Sequence, residues 1–525
     1  MAFHSFTYRD LLIKRGHDHE LFHEWITNPE KTYILGSVRT ISITSDTTST
    51  LYNSVATDET ISEEEKESRI WKPIADLITN LRYLKCLRYV IPQPCPQILI
   101  DALQKHHPYA HLEVYRWGSY GERRYPNPDP QTYVQSFTLA KSPCLRTIET
   151  DFNYNRDDKF DFREAAFYHL LALAPDLTTV HLGYGTEDCT NNRPLEPEDK
   201  DEFRRLAEPF AVDDPVRKAI KKIELKGHKL RLSSRWIEQW STWTDLSKLE
   251  GLTQYGEMDA DFFTTATVNN IFGSLKRLAL DLYTIRGFNI AVGSAVNDFL
   301  LRCRPLESLT LTNRRDSVQL STILSRHGKS LRALHLHERE ASRRPDRYNN
   351  FLASPRIVFS ASDIKQIRDA CPHLEELTVD IDRTTSTSTE REIYALLATF
   401  PNLAEITINF DLGLPYVQRR RPRERDNHAN MEVFLPPNFG PKYPSLSNDS
   451  VTNIWSSIAT AKVGVRLRVL HVNTGEKPSH FQPRFRTWWQ EYEHDHHQEF
   501  TARASSRDDG EGRVEVLEMA RDAQA

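Results

Sequence analysis

The chain of 525 residues has no run of 18 apolar residues, and its opening stretch, MAFHSFTYRDLLIKRGHDHE, has no apolar run of signal-peptide length. A bilayer-crossing helix needs about 20 such residues in a row. No membrane partner is therefore expected, and the expected location is cytoplasmic or nuclear. Cysteine is sparse: Cys86, Cys95, Cys144, Cys189, Cys303 and Cys371 include no CxxC pair, which excludes a zinc ribbon and gives no disulfide framework. Glycine is scarce too, at 19, and neither a Gly-rich phosphate loop nor G-x-S-x-G occurs. Excess positive charge is also lacking, since 68 Lys and Arg stand against 73 Asp and Glu for a net charge of -5. That balance gives no overall attraction to nucleic acid or anionic lipid.

What the chain does have is a recurring phrase. LALAPDLTTVHLG at 171–183, LLRCRPLESLTLT at 300–312, ACPHLEELTVD at 370–380 and LLATFPNLAEITINF at 396–410 each join an apolar helical run, a Pro and an apolar-x-x-apolar-x-apolar triplet. The clearest triplets are Leu275/Leu278/Leu280, Leu306/Leu309/Leu311, Leu331/Leu334/Leu336, Leu374/Leu377/Val379 and Leu403/Ile406/Ile408. Looser copies begin at Val38, Leu84, Leu145, Leu177, Ile220 and Leu467. Leu275, Leu306 and Leu331 stand 31 and 25 residues apart, near the roughly 20–29 residues of a leucine-rich repeat. Each triplet reads as a short strand whose alternating apolar residues enter a core shared with the neighbouring helices. One such unit cannot bury both faces, whereas a stack can.

The predicted fold is α/β: an irregular leucine-rich-repeat solenoid, or horseshoe, with a parallel concave sheet and outer helices. The expected divisions are an N-terminal helical cap over 1–32, one continuous solenoid over 33–480 and a C-terminal cap with an acidic tail over 481–525. Pro175, Pro305, Pro372 and Pro401 fit the exits of helices, because proline cannot continue a helix. Trp236, Trp240 and Trp243 fall on one helical face and read as core. Cys303 and Cys371 recur at one place in the phrase and read as buried thiols. Polar segments after several strands read as loops on one rim.

No reaction is specified. Residues 19–23, His-Glu-Leu-Phe-His, satisfy the H-E-x-x-H pattern, in which two imidazoles one helical turn apart hold zinc. The longer metal-binding form would need Gly at 26 and His at 29, where the chain has Ile26 and Pro29. A zinc peptidase is the alternative reading of this stretch, and a short capping helix is the expected one. No catalytic, cofactor or metal residue is assigned. The arginine run at 419–425 is interleaved with Glu424 and Asp426 and reads as a solvated loop, with no nucleic-acid partner expected. EHDHHQE at 493–499 lacks ordered ligand spacing.

With its repeats laid out, the chain resembles the fungal F-box/leucine-rich-repeat proteins, in which phrases of the type L..CP.L..L.L head irregular repeats. FHSFTYRDLL at 3–12 and FHEWITNPEKTYILGSVRTISI at 22–43 are similar to the segment that follows the F-box. EFTARASSRDDGEGRVEVLEM at 499–519 is similar to that family's C-terminus. The resemblance implies a substrate-binding repeat domain of a ubiquitin-ligase receptor. No Leu-Pro opening occurs and 32 residues precede Tyr33. A Skp adaptor and a cullin are therefore implied as partners only where an F-box lies upstream; otherwise a stand-alone scaffold is implied. In either case the partner is a protein on the concave face. The residues between core positions that are expected to meet it are Glu149, Asp151, Asp281, His335, His337, Glu376, Asp380, Glu405 and Asn409.

Overall fold

The computed structural model describes residues 10–14, 28, 32–44, 63–91, 94–117, 137–153, 162–185, 217–282, 290–314, 317–338, 357–383, 387–411, 446–475, 497–504 and 514–518. The H-E-x-x-H stretch with His19 and His23, the arginine run at 419–425 and residues 493–496 lie outside them. The chain divides into two compact units, residues 1–230 with 236–251 and residues 231–235 with 252–525. Each is α/β, with mostly parallel strands hydrogen-bonded in chain order and helices between them. Most of the strand Lys222–Leu232 and of the helix Ser234–Trp243 belongs to the first unit, and most of the strand Gly251–Met258 to the second.

The first unit carries β1 (Asp10–Lys14), α1 (Thr32–Ser37), β2 (Thr40–Thr44), α2 (Glu63–Asn80), β3 (Cys86–Val90), α3 (Gln97–His106) and β4 (His111–Trp117). It continues with β5 (Leu145–Asn153), α4 (Phe162–Leu173), β6 (Thr179–Gly185), β7 (Lys222–Leu232) and α5 (Ser234–Trp243). Parallel register sets Ile41 beside Leu87 and Leu87 beside Leu112, while Ile148 lies beside Val180 and Val180 beside Ile223. All of these side chains are buried, so the alternation that marks strands in the sequence is the alternation that fills the core. Residues 1–32, expected as a helical cap, contain strand β1, whose Leu11 and Ile13 pair with Ile41 and Ile43. Ile13 is buried and Leu12 is 56% exposed, a period of two that a short apolar run conceals. On α5, Trp236 and Trp240 are buried and stacked with centroids 5.0 Å apart, and Trp243 stacks on Tyr168 of α4 at 5.9 Å.

The second unit carries β8 (Gly251–Met258), α6 (Ala260–Val268), β9 (Arg277–Asp281), α7 (Ile290–Arg302), β10 (Ser308–Thr312), α8 (Leu320–His327), β11 (Ala333–His337) and α9 (Ala361–Ala370). It continues with β12 (Glu376–Asp382), α10 (Thr387–Ala398), β13 (Glu405–Asp411), α11 (Asn448–Ala461), β14 (Val469–Thr474), β15 (Gln498–Ala504) and β16 (Val514–Glu518). Leu278, Leu309, Leu334, Leu377, Ile406 and Leu470 form one unbroken line of register partners, all buried. The expected C-terminal cap holds two strands, because β15 runs antiparallel to β14, and β16 to β15.

Helix ends follow local chemistry. Ser360 and Asp363 form a reciprocal capping box before α9, as do Ser447 and Ser450 before α11. The four prolines follow the ends of α4, α7, α9 and α10. Beyond α11, Gly464 has φ 77°, and a Cβ there would stand 2.3 Å from the Pro401 carbonyl oxygen. Cys303 and Cys371 are buried where α7 and α9 end, and burial pushes both thiols up to about 12.

Candidate functional site

In a half-buried strand, the residues between core positions emerge on the opposite face. Register then lines them up across neighbouring strands. The nine expected partner-contacting residues divide between the units, and within the second unit they sort into two rows with different roles.

One row runs near the ends of the second unit's strands. Asp380, expected on the exposed face, has 0% of its side chain exposed. His337 Nδ1 lies 2.8 Å from its Oδ1, Asn409 Nδ2 donates to the same oxygen at 3.0 Å, and the Glu338 backbone N–H donates to Oδ2 at 2.5 Å. Asn473 Nδ2 extends the row by donating to Asn409 Oδ1 at 3.0 Å. Asp281 is buried as well and accepts from Asn313 Nδ2 at 2.7 Å, while the Asn313 N–H donates to the His337 carbonyl. Asp281, Asp380 and Asn409 are thus corrected from exposed contact residues to buried members of a hydrogen-bonded ladder. The physical reason is position: one step beyond the apolar pair, Asp380 and Asn409 are register partners that bond each other with His337 beside them, and Asp281 bonds Asn313, so each polar group is covered by its neighbours and needs a partner there.

The other row lies between the apolar pair or just before it, and it is half-exposed. His335 Nδ1 bonds Thr378 Oγ1 at 2.7 Å, and its Nε2 is 3.7 Å from Glu376 Oε2. His471 Nδ1 bonds Thr501 Oγ1 at 3.0 Å, with Nε2 3.8 Å from Glu405 Oε1. Glu376 and Glu405 are direct register partners on β12 and β13. Burial raises the Glu376 pKa, with Glu405 and Glu375 adding to the effect, and burial lowers that of His335.

In the first unit, Glu149 is the register partner of His181, and His181 that of Glu224. His181 Nδ1 and Lys226 Nζ each lie 2.9 Å from the Glu224 carboxylate, and together they hold its pKa well below the usual carboxylate range. Asp151 lies over Gly183, where a Cβ would fall 1.7 Å from Asp151 Oδ1; only glycine leaves that space. On the strands before, Arg88 Nε and Tyr115 OH both donate to Glu113 Oε2, at 2.9 and 3.0 Å.

Sequence reading omitted Glu113, Tyr115, His181, Glu224 and His471. His181, Glu224 and His471 stand between the two apolar residues of triplets the sequence itself displays, so reading every middle position finds them. Glu113 and Tyr115 were hidden because β4 supplies Leu112 and Val114 without a matching leading leucine. Among the described residues no group of three or more His, Cys, Asp or Glu is arranged to hold a metal ion, and no helix is long and apolar enough to cross a membrane. No protein-family model matches this chain, and no curated protein matches it either.

Proposed function

We propose that the chain is a protein-binding module of the leucine-rich-repeat type, which takes a partner with basic residues against the half-exposed sheet face of the second unit. One observation carries this reading. Glu376 and Glu405 stand directly opposite each other on adjacent strands, and neither carboxylate accepts a hydrogen bond among the described residues. Like charges facing across a strand pair cost stability, and a cationic partner offsets that cost. The contact is expected to weaken as salt rises, because the pair is only partly shielded from solvent.

Affinity capture from cell extract, run at low and high salt, tests the proposal with a Glu376→Lys/Glu405→Lys variant and with Glu238→Lys on the exposed side of α5. A partner that is salt-sensitive, lost with the double variant and retained with the control is the expected outcome. Capture indifferent to both salt and reversal overturns it. The resemblance to F-box proteins supports the narrower role of a ubiquitin-ligase substrate receptor. Co-purification with a Skp-type adaptor separates that role from a stand-alone scaffold.

A further inference from the structure

The first unit's sheet face contains a half-buried carboxylate, Glu149, with no hydrogen-bond donor among the described residues. Along the row from β3 to β7, Arg88 is committed to Glu113 at 2.9 Å, and Lys226, Lys222 and His181 to Glu224 at 2.9, 3.4 and 2.9 Å. Glu149 stands between these groups, half-buried, and accepts no hydrogen bond among the described residues. Burial, reinforced by Asp151 and Glu224, raises its carboxyl pKa against the pull of Lys226 and His181. A carboxylate drawn partly out of water without a hydrogen-bond donor is unfavourable for the fold alone.

The adjoining strand departs from regular geometry at the same place. Between Val114 and Trp117, β4 carries one residue more than the stretch of β5 from Ile148 to Thr150, and Arg116 takes φ 58°. This bulge leaves Tyr115 and Arg116 both half-exposed and returns Trp117 to the core, where its carbonyl accepts from Thr150 Oγ1 at 2.7 Å. Bulges re-aim side chains next to binding sites. Here the Tyr115 ring is held by its hydroxyl on Glu113 and stands 6.5 Å from the ring of His181, the residue beside Glu149.

A planar cation suits both features. A guanidinium donates two parallel hydrogen bonds to a carboxylate and stacks on an aromatic face, whereas an ammonium offers a point charge without the plane. We infer that Glu149 and Tyr115 form a subsite for an arginine side chain of a protein partner. The inference rests on the binding-module reading and names an anchor for it on the first unit.

The test uses the full chain and fluorescence anisotropy with labelled nona-arginine and nona-lysine peptides. Glu149→Gln and Tyr115→Ala are each expected to weaken the arginine peptide about tenfold, while Tyr115→Phe retains binding and the lysine peptide binds less tightly. Glu149→Gln is also expected to melt at or above the parent temperature, since it removes a half-buried charge whose burial outweighs the attraction of Lys226 and His181; a loss of binding then cannot be a loss of folding. The effect of Glu149→Gln is expected to persist in a Glu376→Gln/Glu405→Gln background. Unchanged affinity in Glu149→Gln, equal affinity for the two peptides, or a lowered melting temperature in Glu149→Gln each overturns the subsite. A parent chain that binds neither peptide also overturns it, while the capture experiment through Glu376 and Glu405 stands or falls separately.

Discussion

Replacing Asp380 by alanine should damage the second unit's stability far more than its recognition of any partner. The carboxylate is wholly buried and holds His337, Asn409 and the Glu338 N–H at 2.8, 3.0 and 2.5 Å. A hydrogen bond to a charged group contributes roughly 1.5–3 kcal/mol, and a buried donor left alone costs about as much again. Asn409 retains its bond from Asn473, and His337 has solvent within reach, so the losses do not simply add. About 4 kcal/mol is expected, a large share of the roughly 5–15 kcal/mol that stabilises an ordinary domain. Glu376→Gln, at a half-exposed position without a hydrogen bond among the described residues, should stay within about 0.5 kcal/mol of the parent. Urea denaturation followed by far-ultraviolet circular dichroism measures both, and a double-mutant cycle with His337→Ala should show a coupling of about 1–3 kcal/mol. If Asp380→Ala keeps the parent's stability within about 1 kcal/mol, the ladder is not structural and the reasoning fails.

Leu309, fully buried between Leu278 and Leu334, should lose about 3 kcal/mol on truncation to alanine, and Leu309→Asp should yield no soluble, folded second unit; a soluble variant with parental melting would refute the register. His327 is completely buried, accepts from the Leu306 N–H through Nδ1 at 3.1 Å, and burial lowers its pKa from 6.5 to about 4. The folded state therefore favours the neutral ring, so its contribution is complete above pH 6.5 and is lost as pH falls towards about 4, a change of about 3 kcal/mol. Urea titrations across that range should show the slope flattened in His327→Gln, and an unaltered slope would assign the effect elsewhere. Gly464→Ala should cost about 2 kcal/mol or more by thermal melting, because a positive φ and the Pro401 carbonyl both oppose a side chain. Purified protein should contain no stoichiometric zinc by elemental analysis, and one tight zinc lost in His19→Ala/His23→Ala would overturn that expectation.

The strand positions were legible because burial in a two-layer α/β unit writes itself as alternation. Every triplet named from the sequence in the second unit, from Leu275 to Val472, lies in or beside a strand with its apolar residues buried. What escaped had a physical cause. Strand β8 places the fully buried Gln254 where an apolar residue is expected, so its alternation breaks in sequence although not in space. Strand β1 is too short for its period to be distinguished from a helix turn. The site was less legible than the fold, because histidines and carboxylates serve a buried ladder at one step along the strand and a half-exposed row at another. Asp380 and Glu376 differ by four residues, and only the hydrogen bonds show that one supports structure and the other faces outward.

The way strands pair here also decides which genetic changes the chain can absorb. Leu334, Leu377, Ile406 and Leu470 are interchangeable in kind, since each position asks only for an aliphatic side chain of similar volume. Adding or deleting one residue inside a strand, by contrast, would turn its aliphatic side chains outward and its polar ones into the core unless a bulge such as the one in β4 absorbs the change. Between a strand's end and the next helix the constraint nearly vanishes: β13 closes at Asp411 and α11 opens at Asn448, yet β14 pairs with β13 in unbroken register. Closing so long a connection costs only slightly more than closing a short one. A chain built this way should absorb insertions at the strand exits and exchanges in kind within the strands while the frame that folds it remains the same.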